Sequence, residues 1–448
     1  MAPRLRAMQQ QLGCESGWAS IASSLPDVDP LDVLAAGNDN LQMYWHSGLM
    51  GESVAAGGTL DRYETEGENR FVTIKQFVQK QSRRFVELGR SPSLAPRFFA
   101  QFSFFNRVSP DYTFPAASIT LPRWMVIRTR EGCQGTINIR LDRTTNLDKT
   151  LTQILRRFQQ FDRSRFLLRA PLSDPSLTYE PVSHASSFRA GVDRVLTSIA
   201  ARRLDKAVLA RAVDAMSSRP LRPLEVLRQL RQAHPDCYVF AVTNDRHQTF
   251  LGASPECLVR RQGNRAISDA LAGSAPRGKT FADDDILARQ LLDSVKDRRE
   301  HDMVVATIAR RLCSLKLVPE VAVAPSLMQL PAIQHLHTPI AACVPTSLHL
   351  LDLVAALHPT PAVAGSPVSA AEEYIRACES FERGLYAAPI GWVDSNGNGE
   401  MAVAIRSGLL SDCRARLYAG AGIVRGSDPD KELHEIHLKL QALVEALT

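Results

Sequence analysis

The chain has 448 residues, of which 45% are hydrophobic and 22% are charged, and its mean hydropathy is -0.13. These are the values of an ordinary globular protein with a large core, so they exclude wholesale disorder and a fibrous repeat. The net charge of +6 is a mild bias, which permits an anionic small substrate but gives no argument for nucleic-acid binding.

The first half of the chain alternates between strand-like and helical patterns. Between residues 71 and 88 apolar side chains recur at helical spacing, as Phe77, Val78, Phe85 and Val86 show, so we predict a helix there. The other predicted elements of this half are strands at 41–47, 97–105 and 124–129, a hairpin near 132–135, a helix at 147–161 and a Pro- and Ser-rich connection at 169–183.

The second half has clearer patterning and ends in a predicted helix over 427–447, with Ser427 as its N-cap and Pro429 in its first turn. The other predicted elements are a helix at 187–203, strands at 206–213, 237–243 and 249–253, a long helix or helix pair at 283–315, and strands at 388–393, 401–406 and 416–419. Because the strands come in runs rather than in strict βαβ alternation, the pattern favours a mixed α+β fold with large sheets.

The sequence has no feature typical of a membrane or secreted protein. No stretch reaches the ~18 consecutive apolar residues that a membrane span needs, and the first residues lack the apolar segment of a secretory signal. The eight cysteines form no CxxC pair, and their wide spacing suits neither a zinc site nor a dense disulfide framework. We therefore expect a cytoplasmic protein.

Several polar residues lie where a plain core would not place them. Lys206 opens an apolar strand, and a lysine held away from water there could act as a base. Glu256 follows an Ala-Ser-Pro turn between apolar residues, where a carboxyl could stay protonated and act as a general acid. The ordinary alternatives are a lysine that reaches water and a glutamate on a surface turn. His335 and His358 could donate hydrogen bonds to a ligand, although a lone histidine is more often structural.

Further candidates lie on helices and at strand ends. Glu300 is on a predicted helix, and Glu435 and Lys439 are spaced i,i+4 on the terminal helix, where Glu435 lies off the apolar stripe. Arg406 interrupts an apolar strand and needs a carboxylate, and Gly420 lies in a Gly-Ala-Gly segment whose backbone could approach an anion. Solvated helix faces and an ordinary ion pair are the simpler explanations of the helical residues.

The joint order of these motifs is more specific than any one of them. In chain order they are FLGASPE, ALAGSAPRG, KDRREH, QHL, LHPTPAVAG, VAIRSG and YAGAGIVRGSDPDKELHE. In this order they resemble the chorismate-utilising enzymes, and within that superfamily the chain most resembles isochorismate synthases. The resemblance runs from about residue 187 to the end and is looser before it.

The resemblance implies the fold of the anthranilate synthase large-subunit superfamily. That fold is an α+β unit in which two large, curved antiparallel sheets pack together with helices at the periphery. Residues 1–186 would form the amino-terminal part of the chorismate-binding fold and residues 187–448 its catalytic region, within one structural domain.

The resemblance also implies a reaction, the Mg²⁺-dependent conversion of chorismate to isochorismate. Lys206 matches the general base that activates water for attack at C2, and Glu256 matches the general acid that protonates the departing C4 hydroxyl. Glu300 and Glu435 match the carboxylates that hold Mg²⁺, which in turn holds the ring carboxylate. The positions that match substrate-binding or supporting residues are Gly273, Ser274, His335, Ala362, Arg406, Gly420 and Lys439.

The charges of the substrate agree with these implied roles. Chorismate is a dianion that two acidic ligands alone would repel, so Mg²⁺ supplies the bridging charge. Arg406 can bind the second carboxylate in bidentate fashion. A base on one face of the ring and an acid on the other suit a concerted shift of the double bonds.

Two positions separate the chain from related activities. Ala272 stands where aminodeoxychorismate synthases carry a nucleophilic lysine, and anthranilate synthases lack the lysine that corresponds to Lys206. These features favour water as the nucleophile, so we expect no glutaminase subunit. The main alternative is a salicylate synthase, which also eliminates pyruvate, and a non-catalytic chorismate-binding homologue is a second.

The chain departs from the usual family pattern at four positions. Cys257 replaces an arginine, Ser274 a threonine, Ala364 a glycine and Leu433 a tryptophan. The lost positive charge beside Glu256 bears on the tuning of the acid and is the motive for the non-catalytic alternative. The sequence leaves the pathway open among menaquinone, siderophore and salicylate-derived products, and we expect a monomer or homodimer without nucleic-acid or membrane partners.

Overall fold

The structure, a computed structural model, describes residues 2–11, 16–37, 39–88, 95–164 and 176–448. Within these ranges the chain forms eleven helices and 21 strands. None of the helices in these ranges combines the length and apolar character that a membrane crossing requires.

The helices vary in length from two to six turns. They are α1 (Ala2–Gln11), α2 (Pro30–Ala36), α3 (Arg70–Ser82), α4 (Leu147–Ser164), α5 (Ala185–Ala200), α6 (Pro223–Ala233), α7 (Phe281–Asp293), α8 (Val295–Ser314), α9 (Leu350–Leu357), α10 (Val368–Cys378) and α11 (Pro429–Leu447).

The strands of the first half are β1 (Gly17–Leu25), β2 (Gln42–Ser47), β3 (Glu52–Thr65), β4 (Phe85–Leu88), β5 (Arg97–Phe102), β6 (Ala117–Thr129), β7 (Gly132–Leu141) and β8 (Leu177–Pro181). The strands of the second half are β9 (Lys206–Ser217), β10 (Tyr238–Thr243), β11 (Thr249–Ser254), β12 (Cys257–Gln262), β13 (Arg265–Pro276), β14 (Pro319–Val321), β15 (Ser326–Gln329), β16 (Ile333–Cys343), β17 (Gly365–Ser366), β18 (Pro389–Asp394), β19 (Gly399–Val403), β20 (Ser407–Ser411) and β21 (Arg414–Val424).

The described strands form one continuous network of hydrogen-bonded pairs that forks at β6. One edge of β6 pairs with β3, and the other edge pairs with β5 near its start and with β7 near its end. The first branch runs from β4 through β1, β7, β6, β3, β2, β10, β11, β20 and β21 to β9, and the second runs from β5 through β18, β19, β12 and β13 to β16. Apart from the parallel pair β1–β4, the described pairings are antiparallel, which confirms the predicted α+β fold with large antiparallel sheets.

The chain passes between the two branches at two adjacent crossings. A short link containing Glu256 joins β11 of the first branch to β12 of the second, and a link ending at Arg406 joins β19 of the second to β20 of the first. The crossings hydrogen-bond to each other, because Val403 N donates to Glu256 O at 3.1 Å and Ala253 N donates to Arg406 O at 3.0 Å. The two crossings, which carry the ionisable residues Glu256 and Arg406, are therefore held together at the seam between the branches.

The helix predicted over residues 71–88 is too long. In the structure α3 ends at Ser82, and residues 85–88 form β4, where Phe85 pairs with Trp18 of β1. The helical periodicity of this segment is real, but β1 offers its backbone a hydrogen-bonding partner, and tertiary pairing overrides local propensity.

Two further boundaries differ at functional segments. The strand predicted over 401–406 ends at Val403, because Arg406 has a φ of +51° in the left-handed region, and β20, which was not predicted, begins at the next residue. The N-cap of the terminal helix is Asp428, whose side chain accepts hydrogen bonds from two backbone N–H groups, and not Ser427. Ser427 Oγ instead accepts from the backbone N–H of Val424 at 3.1 Å.

The segment predicted as a long helix or helix pair over 283–315 is the pair α7 and α8. Ser294 ends α7 and caps α8, with its side chain accepting from the backbone N–H of Asp297. Much of the predicted connection at 169–183 lies outside the described residues, and its described part contains β8.

Candidate active site

A cavity of about 800 Å³, including the part open to solvent, lies between the two branches. Strands β9 and β21 of the first branch and β13 and β16 of the second supply its walls, and α8 and α11 flank it. Ten of the eleven predicted site residues line this cavity, namely Glu256, Gly273, Ser274, Glu300, His335, Ala362, Arg406, Gly420, Glu435 and Lys439. The remaining one, Lys206, is fully buried at the start of β9 and contacts Glu300.

Lys206 and Glu300 form a buried ion pair, with 2.8 Å between Nζ and Oε1. Burial is the largest single influence on Glu300 and opposes its ionisation, but the charge and hydrogen bond of Lys206, together with the charges of Lys439 and Lys296, hold the pKa of Glu300 below its ordinary value. The lysine is therefore not a strand-end side chain that reaches water. Its ammonium is directed to a carboxylate at the cavity.

Gly422 makes room for this ion pair and was missed in the sequence analysis. Antiparallel register puts Gly422 opposite Val208, on the strand face that also carries Lys206. A Cβ at Gly422 would lie 2.5 Å from Glu300 Oε1 and 3.0 Å from Lys206 Cε. The Gly-Ala-Gly segment that was predicted as an anion-binding loop is part of β21. The alternation of its glycines was the sequence signal that pointed to Gly422.

Glu256 is 2% exposed and faces the cavity from the first crossing. Burial, followed by the negative charge of Asp269, raises the pKa of Glu256 to about 8. The carboxyl therefore holds its proton at neutral pH, as a general acid must.

Arg406 presents a buried positive charge at the second crossing. Its Nη2 donates to Nε2 of His335 at 3.1 Å, and Nδ1 of His335 donates to Gly273 O at 3.2 Å and lies 3.0 Å from Ser274 Oγ. Burial and the charges of Arg406 and Lys439 lower the pKa of His335 well below its ordinary value, so the imidazole is neutral. Because a neutral imidazole does not cancel the guanidinium charge, this corner of the cavity suits a carboxylate.

Glu435 lines the cavity, and its side chain is 26% exposed. Lys439 Nζ lies 2.6 Å from Glu435 Oε1 and also donates to Gly420 O at 2.8 Å. The expected i,i+4 ion pair is therefore present, and it connects α11 to β21.

Three further charged residues of the cavity were not predicted. Lys296 Nζ lies 2.9 Å from Glu432 Oε1, and Asp297 lies on the same turn of α8 as Lys296. Burial and then the negative charge of Glu435 raise the pKa of Glu432, and burial raises the pKa of Asp297. The available signal was i,i+3 spacing, which puts Asp297 on the face of Glu300 and Glu432 on the face of Glu435.

The carboxylates Asp297, Glu300, Glu432 and Glu435 fit a hard divalent cation. They form two i,i+3 pairs on helices that converge on one cavity, and they supply only oxygen donors. Among the described residues no group of three or more His, Cys, Asp or Glu side chains is arranged to hold a metal by itself. Mg²⁺ ordinarily takes only one or two protein carboxylates and completes its shell with water and substrate oxygens, so two glutamates are a sufficient protein set.

Two residues singled out in the sequence lie away from the cavity. Burial lowers the pKa of His358 to about 3, and its Nε2 donates to a backbone carbonyl, so this histidine is structural. Cys257 is buried at the start of β12, where its thiol interacts with Tyr238. The unusual residue at position 257 therefore changes a buried cluster behind the cavity and leaves the cavity lining itself unaltered.

Comparison with known proteins identifies this architecture. The family described as chorismate binding enzyme matches residues 4–448. The salicylate biosynthesis isochorismate synthase of Pseudomonas aeruginosa is 37% identical over 436 residues, which cover 94% of this chain and 88% of that protein.

Solved structures agree with the sequence relatives. The structure of MenF, the menaquinone-specific isochorismate synthase from Escherichia coli, matches with a TM-score of 0.80 at 26% identity and covers 100% of both chains. Anthranilate synthase component I from Streptococcus pneumoniae matches with a TM-score of 0.71 at 20% identity, covering 88% of this chain and 92% of that chain, which shows the shared fold. The chain therefore belongs to the chorismate binding enzyme family and has the anthranilate synthase large-subunit fold that its motif order indicated.

Proposed function

We propose that this protein is an isochorismate synthase, an isomerase that converts chorismate to isochorismate with Mg²⁺. The observation that supports it most is the meeting of three groups at one cavity. These are the buried Lys206–Glu300 pair, the protonated Glu256 and the buried guanidinium of Arg406, whose hydrogen-bond partner is the neutral His335.

In the proposed reaction, water attacks C2 of the ring as it gives a proton to Lys206. The ring double bonds shift, the C4–O bond breaks, and the departing hydroxyl takes the proton of Glu256. One water enters and one leaves, so the product is an isomer of the substrate. The raised pKa of Glu256, about 8, supports its role as the acid, and general acid–base assistance of this kind supplies typically ~10²–10⁴-fold.

Arg406 binds the enolpyruvyl carboxylate in this proposal, with His335 orienting the guanidinium. Glu300 and Glu435 hold Mg²⁺, which would neutralise and orient the ring carboxylate. With Glu300 engaged by the cation, Lys206 would lose its ion-pair partner, and it would release its proton to solvent to become the neutral amine that accepts a proton from the attacking water.

The relatives support the same reaction. The Pseudomonas aeruginosa and Escherichia coli proteins are both named isochorismate synthases, and each aligns over most or all of this chain. The first name also mentions salicylate biosynthesis, so salicylate and pyruvate must be measured alongside isochorismate.

We further propose that the enzyme needs no glutaminase subunit, because ammonia is not a reactant. We expect it to act in the cytoplasm, where the widely spaced cysteines stay reduced, as a monomer or homodimer.

Product analysis tests the proposal. Pure protein is incubated with chorismate and Mg²⁺, with a chelator in a parallel sample, and the products are separated by chromatography. We expect isochorismate only with Mg²⁺, no pyruvate release, and loss of turnover in Lys206→Ala. Lys75→Ala is the matched control, because Lys75 forms an ion pair with Asp352 away from the cavity.

Absence of isochorismate from the wild-type sample with Mg²⁺ would reject the proposal. Salicylate and pyruvate from the pure protein would assign the salicylate synthase reaction instead. Chorismate binding without turnover, unchanged in Lys206→Ala, would assign a non-catalytic role.

A further inference from the structure

A buried ion pair behind the cavity has no part in the reaction proposed above. Arg383 and Glu379 follow α10, and their side chains are 1% and 3% exposed. Arg383 Nε donates to Glu379 Oε2 at 2.8 Å and Nη2 donates to Oε1 at 2.5 Å, so the contact is bidentate. We call this pair the Arg383–Glu379 clamp.

The clamp also bonds to two backbone segments of the cavity wall. Arg383 Nη2 donates to Val208 O at 2.8 Å, and Nη1 donates to Val363 O at 2.9 Å. Val208 and Val363 both line the cavity. Val208 lies two residues after Lys206, and Val363 follows Ala362, so the guanidinium fixes the distance between the segment of the proposed base and the opposite loop.

Glu379 extends the same connection along β9. Its Oε1 accepts a hydrogen bond from Ala210 N at 2.8 Å. On this edge of β9, β17 pairs with residues 206–207 and β8 with residues 213–217. Between these two pairings the clamp bonds to Val208 O and Ala210 N, which are groups that a neighbouring strand would otherwise pair with. On the same edge Val208 N donates to Ala364 O at 2.8 Å.

The energetics of buried charges favour a positioning role over a purely stabilising one. Desolvation offsets most of the attraction within a buried ion pair, and a well-packed apolar pair in its place is often neutral or stabilising. An apolar pair could not, however, bond to the backbones of β9 and of the loop at 362–364. The charged pair therefore fixes the positions of those two backbone segments through its hydrogen bonds.

We propose that Arg383 and Glu379 are positioning residues that hold β9 against the loop at 362–364 and thereby place Lys206 and the cavity wall for turnover. The expected loss of turnover rests on the proposed function. The expected loosening of β9 and of the loop at 362–364 rests on the hydrogen bonds alone. The two consequences are tested separately.

The kinetic test uses Arg383→Lys, which keeps the charge and loses the bidentate fork, and Glu379→Gln, which keeps the shape and loses the charge. We expect both variants to fold, kcat to fall about 10–100-fold and KM to stay within about threefold, because small misplacement of a catalytic group acts on turnover. Arg97→Lys is the control, since Arg97 forms a bidentate pair with Glu52 away from the cavity, with side chains that are 7% and 16% exposed. We expect this control to lose melting temperature without losing kcat.

The structural test is hydrogen–deuterium exchange of the wild type and the same variants. We expect faster exchange at residues 206–210 and 362–366 in Arg383→Lys and Glu379→Gln but not in Arg97→Lys. Wild-type kcat in both clamp variants, or an equal loss in Arg97→Lys, would overturn the positioning role. A wild-type protein without turnover would reject the proposed function, and unchanged exchange in the clamp variants would then overturn the clamp independently.

Discussion

Glu256 and Glu400 belong to two neighbouring regions of the molecule, and they show how little burial alone says about a carboxyl group. Both are 2% exposed. Glu256 directly precedes β12 and Glu400 lies on β19, and these two strands are paired. Burial raises the pKa of both. Around Glu400, Tyr238 OH, Trp45 Nε1 and Ser47 Oγ donate hydrogen bonds at 3.0, 3.3 and 3.4 Å.

The surroundings of Glu256 are different. Within the described part of the chain no side chain donates a hydrogen bond to its carboxyl, which faces the cavity. A carboxyl surrounded by donors belongs to the packing of the core, whereas a buried carboxyl without partners is available to a substrate. The partners, and not the exposure, separate a structural glutamate from a candidate acid.

The largest effect is expected from exchanging each carboxyl for an amide. Glu256→Gln should lower kcat about 10²–10⁴-fold with the fold intact, because the proton donor is lost. Glu400→Gln should leave kcat within about twofold but lower the melting temperature, because the amide presents donors to groups that already donate. Steady-state kinetics and thermal melts of both variants measure this, and equal losses of kcat would remove the distinction between the regions.

Arginine replacement gives the next largest effect. Arg406→Lys should lower kcat/KM about 10–100-fold, because a lysine loses the fork that binds a carboxylate in bidentate fashion. The control is Arg260→Lys, since Arg260 Nη1 lies 3.7 Å from Glu400 Oε1 in the other region. Chorismate saturation curves for both variants decide the matter, and a wild-type curve for Arg406→Lys would mean that Arg406 does not bind the substrate.

A smaller effect is expected from filling the space beside the Lys206–Glu300 pair. Gly422→Ala should lower kcat about tenfold, because the added Cβ would displace Glu300 Oε1, 2.5 Å away, and a displaced catalytic group slows turnover. Gly37→Ala is a suitable control, since its φ of -92° is ordinary and its nearest neighbour is 3.4 Å away. Kinetics together with Mg²⁺ titration test this, and an unaffected Gly422→Ala variant would contradict the need for glycine.

The mildest perturbation is a change of pH. Glu256 must be protonated to act as an acid, so activity should be lost as the pH rises through its raised pKa of about 8. Asp269→Asn removes a negative charge that raises this pKa, so the alkaline limb of kcat/KM should move to lower pH. A profile that is flat to pH 9 would show that another group supplies the proton.

The predicted elements were most accurate where one pattern dominated. The periodicity of 427–447 predicted α11 to within a few residues, and the apolar runs at 237–243 and 249–253 predicted the strands β10 and β11. The errors at 83–88 and at 404–406 arose where a distant strand or a crossing changed the backbone path. Local propensity contains no information about either.

The motif order by itself determined the family of the protein, and residue types determined which side chains were candidates for a site. The contact of Lys206 with Glu300, and the space that Gly422 leaves for it, do not follow from the sequence, because the three residues lie on separate elements that only the tertiary fold brings together. Tertiary structure alone also decided that no described side chain donates a hydrogen bond to the carboxyl of Glu256, whereas three donate to that of Glu400. Both are glutamates beside apolar residues in the chain, and what distinguishes them is which distant donors the packing of the two branches places around each carboxyl.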